Sequence, residues 1–399
     1  MKKILYITSS FTKKGSASIR NFSLIEGFLE NNCQVEILTQ EWPLDMEDIS
    51  LNFRSKKLNL IVYKDYIDIL FKIFSKKEEV KRKNKILYFF WNLKFFKMIR
   101  TIIKNILFYP DLDMEWIKKY NKNIDYAKYD LIISSSDTKT SHYVARNIKN
   151  KYDKTWFTIW GDPWFDDKGT KGIKKILAYF SEKKILQSAD KNIYISYPTS
   201  IRMKKRFKKL SEKIYFFPRT YLDVIKSPSP NKEQINILYT GSIYYGRNIF
   251  SIISAIEKYN LLHKIKIVLN VYGMLEENLK KVILKKEFIK IHDFVPYENL
   301  KKIIEENEIL LFLSNGKNTT QIPGKIYDYF GTDKVILALF EEKNSVYDYI
   351  YSTKRCFCYL NLENEINLEE VVRNIGKNKV LYEFSGKNQA KNILNLLKR

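Results

Sequence analysis

The chain has 399 residues, 45% of them apolar and 29% charged. That length suits two domains, and that apolar share fills their cores, which excludes a disordered chain. Lys and Arg number 70 against 45 Asp and Glu, a net charge of +25, which favours anionic partners such as nucleic acid, anionic lipid or phosphorylated substrates.

Ile4–Ile7 reads as a buried strand, and the stretch around it is too short for a signal sequence. The loop at 13–18 carries Gly15 and Ser16, a helical pattern runs from Ile19 to Asn31, and Gln34–Thr39 is a second strand. This is a βαβ unit, right-handed and parallel. Its loop lacks the full G-x-G-x-x-G spacing, which weighs against a nicotinamide cofactor. Gly15 and Ser16 still lie where a strand's carboxyl end meets a helix start, the ligand edge of open α/β sheets.

Residues 64–127 read as a basic, aromatic, mostly helical insert. Within 86–108, Lys94, Lys97, Arg100 and Lys104 fall within one arc of roughly 120°, with aromatic and Ile side chains over the rest. That pattern suits a helix lying on an anionic membrane surface. It equally suits a helix that packs its apolar face on its own domain. Tyr129–Ser134 is a strand, and the helix at 138–150 carries His142 near its start. The strand Lys154–Trp160 runs into the turn containing Asp162 and Trp164. A helix at 172–188, a strand at 192–196, a basic helix at 199–210 and a strand at 214–218 close the first half. Residues 219–234, with Pro228 and Pro230, read as the linker.

Alternation then restarts, with strands at 235–240, 266–271, 289–292, 309–314, 334–339 and 356–360 and helices between them. The expected fold class is α/β, two doubly wound Rossmann-like domains facing across a cleft. The expected boundaries are 1–218, the linker 219–234, and 235–379, with 380–399 as a terminal helix. Three cysteines and three histidines at irregular spacing give neither a disulfide framework nor a zinc pattern. No metal and no cofactor are expected. No apolar run of about 18 uncharged residues occurs, so no spanning helix and a cytoplasmic location are expected.

The chemistry is expected at three junctions of the second half. Thr320 and Gln321 lead into Pro323, suited to a first helical position, then Gly324 and Lys325. Free amides, the helix dipole and the Lys325 charge offer an anion site, and Asp328 offers a carboxylate one turn deeper for ribose hydroxyls. Gly241 and Ser242 end the first strand of this half, and Arg247 follows at a helix start, where its guanidinium can fork onto phosphate. Tyr272 and Val295 mark the strand ends left for a nucleobase. The plainer alternatives are an i,i+3 surface pair for Lys325 and Asp328 and a solvated helix start for Arg247.

Taken in order, these pieces carry a resemblance. They are Gly15–Arg20, Pro110–Trp116, Ser141 with His142, Gly161–Trp164, Tyr239–Arg247, Asp293–Tyr297 and Ile322–Tyr329. The chain resembles the GT-B-fold, nucleotide-sugar-dependent glycosyltransferases of the retaining, family-four type found in bacterial surface-polysaccharide synthesis. The resemblance implies hexosyl transfer from a nucleoside-diphosphate sugar to a saccharide, lipid-linked or protein acceptor, without a metal. It implies that Asp328 binds the ribose and that Arg247 and Lys325, with the amides near Gly324, hold the diphosphate. It puts Gly15, Ser16, Asp162, Trp164 and His142 on the acceptor side, with His142 joining Arg247 and Lys325 as a catalytic candidate. It also implies that the terminal helix packs back on the first domain. The chain departs from the family pattern at Ser242, where many members have an arginine, at Thr320, near a usual glutamate, and at Asp328, one methylene shorter than glutamate.

Two other functions stay open: a catalytically impaired basic protein that binds nucleic acid or membrane, and an epimerase or phosphorylase on the same scaffold. No RNP or helix-turn-helix signature occurs, so nucleic acid is not the expected partner. The expected partners are a nucleotide sugar, a glycan or lipid-linked acceptor, and an anionic membrane surface on the inner face of the membrane.

Overall fold

The computed structural model describes residues 1–63, 109–111, 113–120, 123–136, 138–167, 170–226, 233–243, 247–283, 285–293 and 295–398. The basic stripe expected at 86–108 lies outside them, as does most of the 64–127 insert.

Among the described residues the first sheet comprises β1 (Lys3–Ile7), β2 (Gln34–Gln40), β3 (Asn59–Tyr63), β4 (Leu131–Ser135), β5 (Trp156–Trp160), β6 (Lys191–Tyr194) and β7 (Ile214–Phe216). The second comprises β8 (Gln234–Thr240), β9 (Lys266–Tyr272), β10 (Ile289–His292), β11 (Ile309–Leu313), β12 (Val335–Phe340) and β13 (Cys356–Leu360). Around the first sheet lie α1 (Ser16–Glu30), α2 (Ile49–Ser55), α3 (Trp116–Lys119), α4 (Thr140–Tyr152), α5 (Ile173–Ser188) and α6 (Tyr197–Arg206). The rest of the chain adds α7 (Phe250–Leu262), α8 (Glu277–Ile283), α9 (Tyr297–Glu305), α10 (Lys325–Phe330), α11 (Ser345–Ser352), α12 (Leu368–Arg373) and α13 (Gly386–Asn395).

The sheet orders are β3-β2-β1-β4-β5-β6-β7 and β10-β9-β8-β11-β12-β13. Every strand pair in both sheets is parallel. Parallel strands need both faces covered, and the side chains divide accordingly. Ile309, Leu311 and Leu313 of β11 pack into one core layer, Leu310 and Phe312 into the other. In β12, Val335, Leu337 and Leu339 face opposite to Ile336, Ala338 and Phe340 in the same way. The order of each sheet reverses once, between β1 and β4 and between β8 and β11. Such reversals leave a crevice at the strands' carboxyl ends.

The expected α/β class with doubly wound sheets is observed. Two elements were not expected from the sequence, β3 and α2. Asp48 caps α2 by accepting from the Ser50 and Leu51 amides. Among the described residues no helix is long and apolar enough to cross a membrane.

The last helix, α13, packs against α1 of the first sheet, burying Ala390 and Ile393, with Leu396 just past its end, beside Leu24, Ile25 and Phe28. Two glycines permit that approach. A Cβ at Gly27 would lie 2.1 Å from the Gly386 carbonyl oxygen, and one at Gly386 would lie 2.0 Å from the Ser23 carbonyl oxygen. Backbone cannot yield there as a flexible side chain can. Gly27→Ala is expected to lower stability in urea denaturation by roughly 1–3 kcal/mol through overpacking. An unchanged midpoint would mean that α13 detaches at no cost.

Candidate active site

Because β8 and β11 are neighbours, the loops that follow them share one edge of the second sheet. Gly241 follows β8 with φ +113°, a conformation glycine adopts freely. The Lys325 side chain passes beneath it, and a Cβ at 241 would lie 2.7 Å from Nζ. Lys325 Nζ donates to the Thr240 carbonyl and sits 4.1 Å from the centroid of the Tyr239 ring. Burial pushes its pKa down to about 7; Arg247 pushes the same way and Asp328 opposes. Arg247 donates from Nη1 to the Ser242 carbonyl (2.9 Å) and from Nη2 to Asn315 Oδ1 (2.7 Å), which ties the β8 loop to the β11 loop. The helix starts near 247 and 325 therefore lie on one side of the molecule.

The approach to α10 differs from expectation. The helix begins at Lys325 with Gly324 as its cap, so Pro323 precedes it. The Ile326 and Tyr327 amides bond back to the Pro323 and Gly324 carbonyls, an i→i+3 entry that tightens the first turn. A six-residue helix supplies only a short run of aligned dipoles, so positive charge at this edge comes from side chains.

One of those side chains was not expected. Arg219, read from sequence as a linker residue, is 2% exposed, and its Nη2 lies 3.0 Å from each carboxylate oxygen of Asp328. The guanidinium crosses directly over Gly324, where a Cβ would lie 1.5 Å from Nη1. Burial pushes the Asp328 carboxyl up to about 6, against the pull of Arg219 and Lys325. Asp328 is thus no i,i+3 surface partner of Lys325 but the half-buried partner of a buried guanidinium.

Thr320 belongs to the junction between the two lobes. Its carbonyl accepts from Ser196 Oγ (2.6 Å) and Thr199 Oγ1 (3.0 Å), at the start of α6. Nearby, Tyr327 OH donates to the Ile195 carbonyl (3.2 Å). Gln321 is half-buried in the same loop, its amide donating to Thr319 Oγ1 (3.1 Å). Tyr272 ends β9 stacked on His292 of β10, ring centroids 4.2 Å apart, with Val295 half-buried beyond them. Burial, then Lys290, lowers the His292 pKa.

In the first lobe Gly15 and Ser16 are exposed at the start of α1. Asp162 is exposed, while Trp164 is buried against Tyr109, centroids 5.4 Å apart. The turn they share is fixed from beneath by buried Glu182 of α5, which accepts from the amides of Trp164 (2.9 Å) and Phe165 (3.2 Å). His142 requires a correction. It is fully buried, packed on Trp160 and bonded through Nδ1 to Ser134 Oγ at 2.7 Å. Burial, with Lys139 and Arg20, holds its pKa well below the ordinary value. A neutral imidazole inside the core does not reach the cleft, so we assign His142 no proton transfer. Among the described residues no group of three or more His, Cys, Asp or Glu is placed to hold a metal.

No family model matches the chain, and no curated protein matches it. Solved structures do resemble it. Anabaena HepE in complex with UDP and glucose aligns over 100% of both chains at 10% identity, TM-score 0.56. TarM aligns over 100% of this chain and 99% of its own at 12% identity, TM-score 0.59. A putative UDP-N-acetylglucosamine 2-epimerase from Listeria monocytogenes aligns over 100% and 96% at 10% identity, TM-score 0.58. The fold is GT-B-like. At these identities the likeness describes the architecture alone.

On this GT-B-like frame the side chains that sequence reading missed are Arg219, Glu182, Ser196, Thr199, Asn315 and His292. Each acts through a partner distant in the chain, 109 residues away for Arg219 and Asp328, and carries no local motif. Arg219→Met would remove the cation that bonds the half-buried Asp328 carboxylate. The expected loss in urea denaturation is roughly 3–5 kcal/mol, and Arg219→Met with Asp328→Asn should recover part of it. Equal stability of wild type and Arg219→Met would show that the pair contributes nothing.

Proposed function

We propose that this chain is a glycosyltransferase that takes its sugar from a nucleoside-diphosphate sugar. The single observation that carries this reading is the meeting of Lys325 and Arg247, from two adjacent strand ends, at the switch point of the second sheet. Departure of a nucleoside diphosphate leaves charge on the β-phosphate. Cations fixed beforehand stabilise that charge more in the transition state than in the ground state. Asp328, ionised above about pH 6 and oriented by Arg219, would accept from the ribose hydroxyls. The Tyr272–His292 stack would present a flat surface to the base.

The resemblance to family-four enzymes supports a retaining, metal-independent transfer of a hexosyl group, with the acceptor entering from the side of Gly15, Ser16 and Asp162. A saccharide, a lipid-linked sugar or a protein would serve as acceptor, at the inner face of the membrane. UDP is the nucleotide to test first, since the HepE structure on this fold holds UDP. Epimerisation of a UDP-sugar is the second reading, favoured by the equal likeness to the 2-epimerase. Product analysis separates the two, because an epimerase releases no free UDP when supplied with an acceptor.

The depressed Lys325 pKa makes nucleotide binding pH-dependent. In the empty site the amine is protonated below about pH 7 and neutral above it. A diphosphate beside it favours the charged form, so binding at about pH 8 takes up a proton and affinity falls as pH rises. Calorimetry of UDP binding in buffers of different ionisation enthalpy should show this uptake in the wild type and not in Lys325→Met. Arg247→Ala and Lys325→Ala should each lower turnover by about 10²–10³-fold. Unchanged turnover in both, with thermal stabilisation by an oligonucleotide and by none of UDP, GDP and dTDP, would favour a basic binding protein instead.

A further inference from the structure

Helix α5 has two opposite faces with opposite uses. Ala178, Glu182, Ile185 and Leu186 are buried, and Glu182 holds the turn at 161–165 by its amides. On the far side, Ile173, Ile176 and Phe180 are 52%, 60% and 63% exposed. At helical spacing these three fall within an arc of about 60°. Lys183 and Lys184, both exposed, continue the same face for one further turn, and exposed Lys171 precedes the helix. Glu182 is the only acidic residue in this helix, and it points inward, so the outer face carries no negative charge.

We infer that this outer face of α5 docks the protein onto an anionic lipid bilayer. Three large apolar side chains left in water on one stripe mark a surface built for contact. Apolar side chains of this length reach the boundary between headgroups and acyl chains, and lysines beside them meet the phosphates there. The charge of the whole chain, +25, has the sign that brings it to such a surface. This surface differs from the stripe at 86–108 read from the sequence, and it needs no particular reaction to operate. It also has a geometric consequence. The turn bearing Asp162 is held on the inner face of the same helix, so docking sets that turn about one helix diameter, roughly 10 Å, from the lipid. An acceptor that keeps its lipid tail in the membrane would then reach the cleft.

The test is flotation of the full-length protein with vesicles of phosphatidylcholine, with and without phosphatidylglycerol. Binding is expected only with phosphatidylglycerol, and salt should release it. Ile173→Ser, Ile176→Ser and Phe180→Ser combined should lower the partition coefficient at least about tenfold. Lys183→Gln with Lys184→Gln should lower it about tenfold or more. All five side chains are exposed, so the variants should keep the wild-type melting temperature and UDP affinity. That last measurement separates failure of docking from failure of the proposed reaction. Phe180→Trp should add a blue-shifted emission component on anionic vesicles. An unchanged partition of the triple Ser variant overturns the inference and moves lipid binding to another segment. A wild-type dimer that the triple variant dissolves, with no vesicle binding by either, overturns it in favour of a second copy of this chain.

Discussion

The ion pair between Arg219 and Asp328 is the constraint on which the candidate site depends. A guanidinium that is 2% exposed needs its charge answered, and among the described residues a single carboxylate lies within hydrogen-bond distance of it. Meeting that carboxylate requires the arginine to cross the chain at residue 324, and only a residue without Cβ leaves room there. Gly324 therefore serves a steric purpose that its position before a helix does not disclose. Once the pair is made, the first turn of α10 is fixed to the segment that leaves the first sheet. Lys325, one residue further, is then fixed beneath Gly241. The pair does not rank as a large source of net stability, because desolvation of both charges offsets most of their attraction. Its effect is to permit one arrangement of the loop and exclude others.

The charge balance of this edge explains its chemistry. Three cations, Lys325, Arg247 and Arg219, face one carboxylate, Asp328. The surplus is held partly by backbone carbonyls, those of Thr240 and Ser242. Carbonyl dipoles answer a positive charge only in part, and the lysine responds by giving up its proton more readily. The guanidinium groups of Arg247 and Arg219 instead spread their charge over several donors. An anion of two or more charges would complete the balance. A site that is incomplete in this way, with donors already in position, has little reorganisation left when charge develops on a leaving group.

The sheets were legible in the sequence because parallel strands buried on two faces read as short apolar runs, as in Ile309–Leu313 and Val335–Phe340. β3 was not, because an edge strand with half-exposed side chains on both faces gives no clear period. α2 was missed because its seven residues mix Ser, Asn and Arg with exposed Ile49 and Phe53. In the site, Gly241, Arg247 and Lys325 stand at strand-to-helix junctions, and junction residues can be read from local punctuation. Arg219 cannot, since its partner is set by tertiary structure. His142 misled for a related reason. A histidine after a serine-rich strand end has the same local sequence whether its ring turns outward or inward, and here it turns onto Trp160.

Thr320 joins these threads. Its carbonyl is held by two hydroxyls from the first lobe, Ser196 and Thr199, while the loop that contains it carries the approach to Lys325. Any opening of the two lobes must break those bonds or carry the loop along. Hydroxyl-to-carbonyl bonds contribute only about 1 kcal/mol each, so they bias the loop without locking it. The Arg219–Asp328 pair lies on the linker side of the same junction and resists separation more strongly, since parting it would strand a buried charge. Lobe movement is therefore expected to turn about the arginine while the Thr320 contacts yield. Motion of that kind alters the Thr320 side of the loop first and keeps the carboxylate of Asp328 in place, so Lys325 and Asp328 stay ordered while the opposite lobe moves.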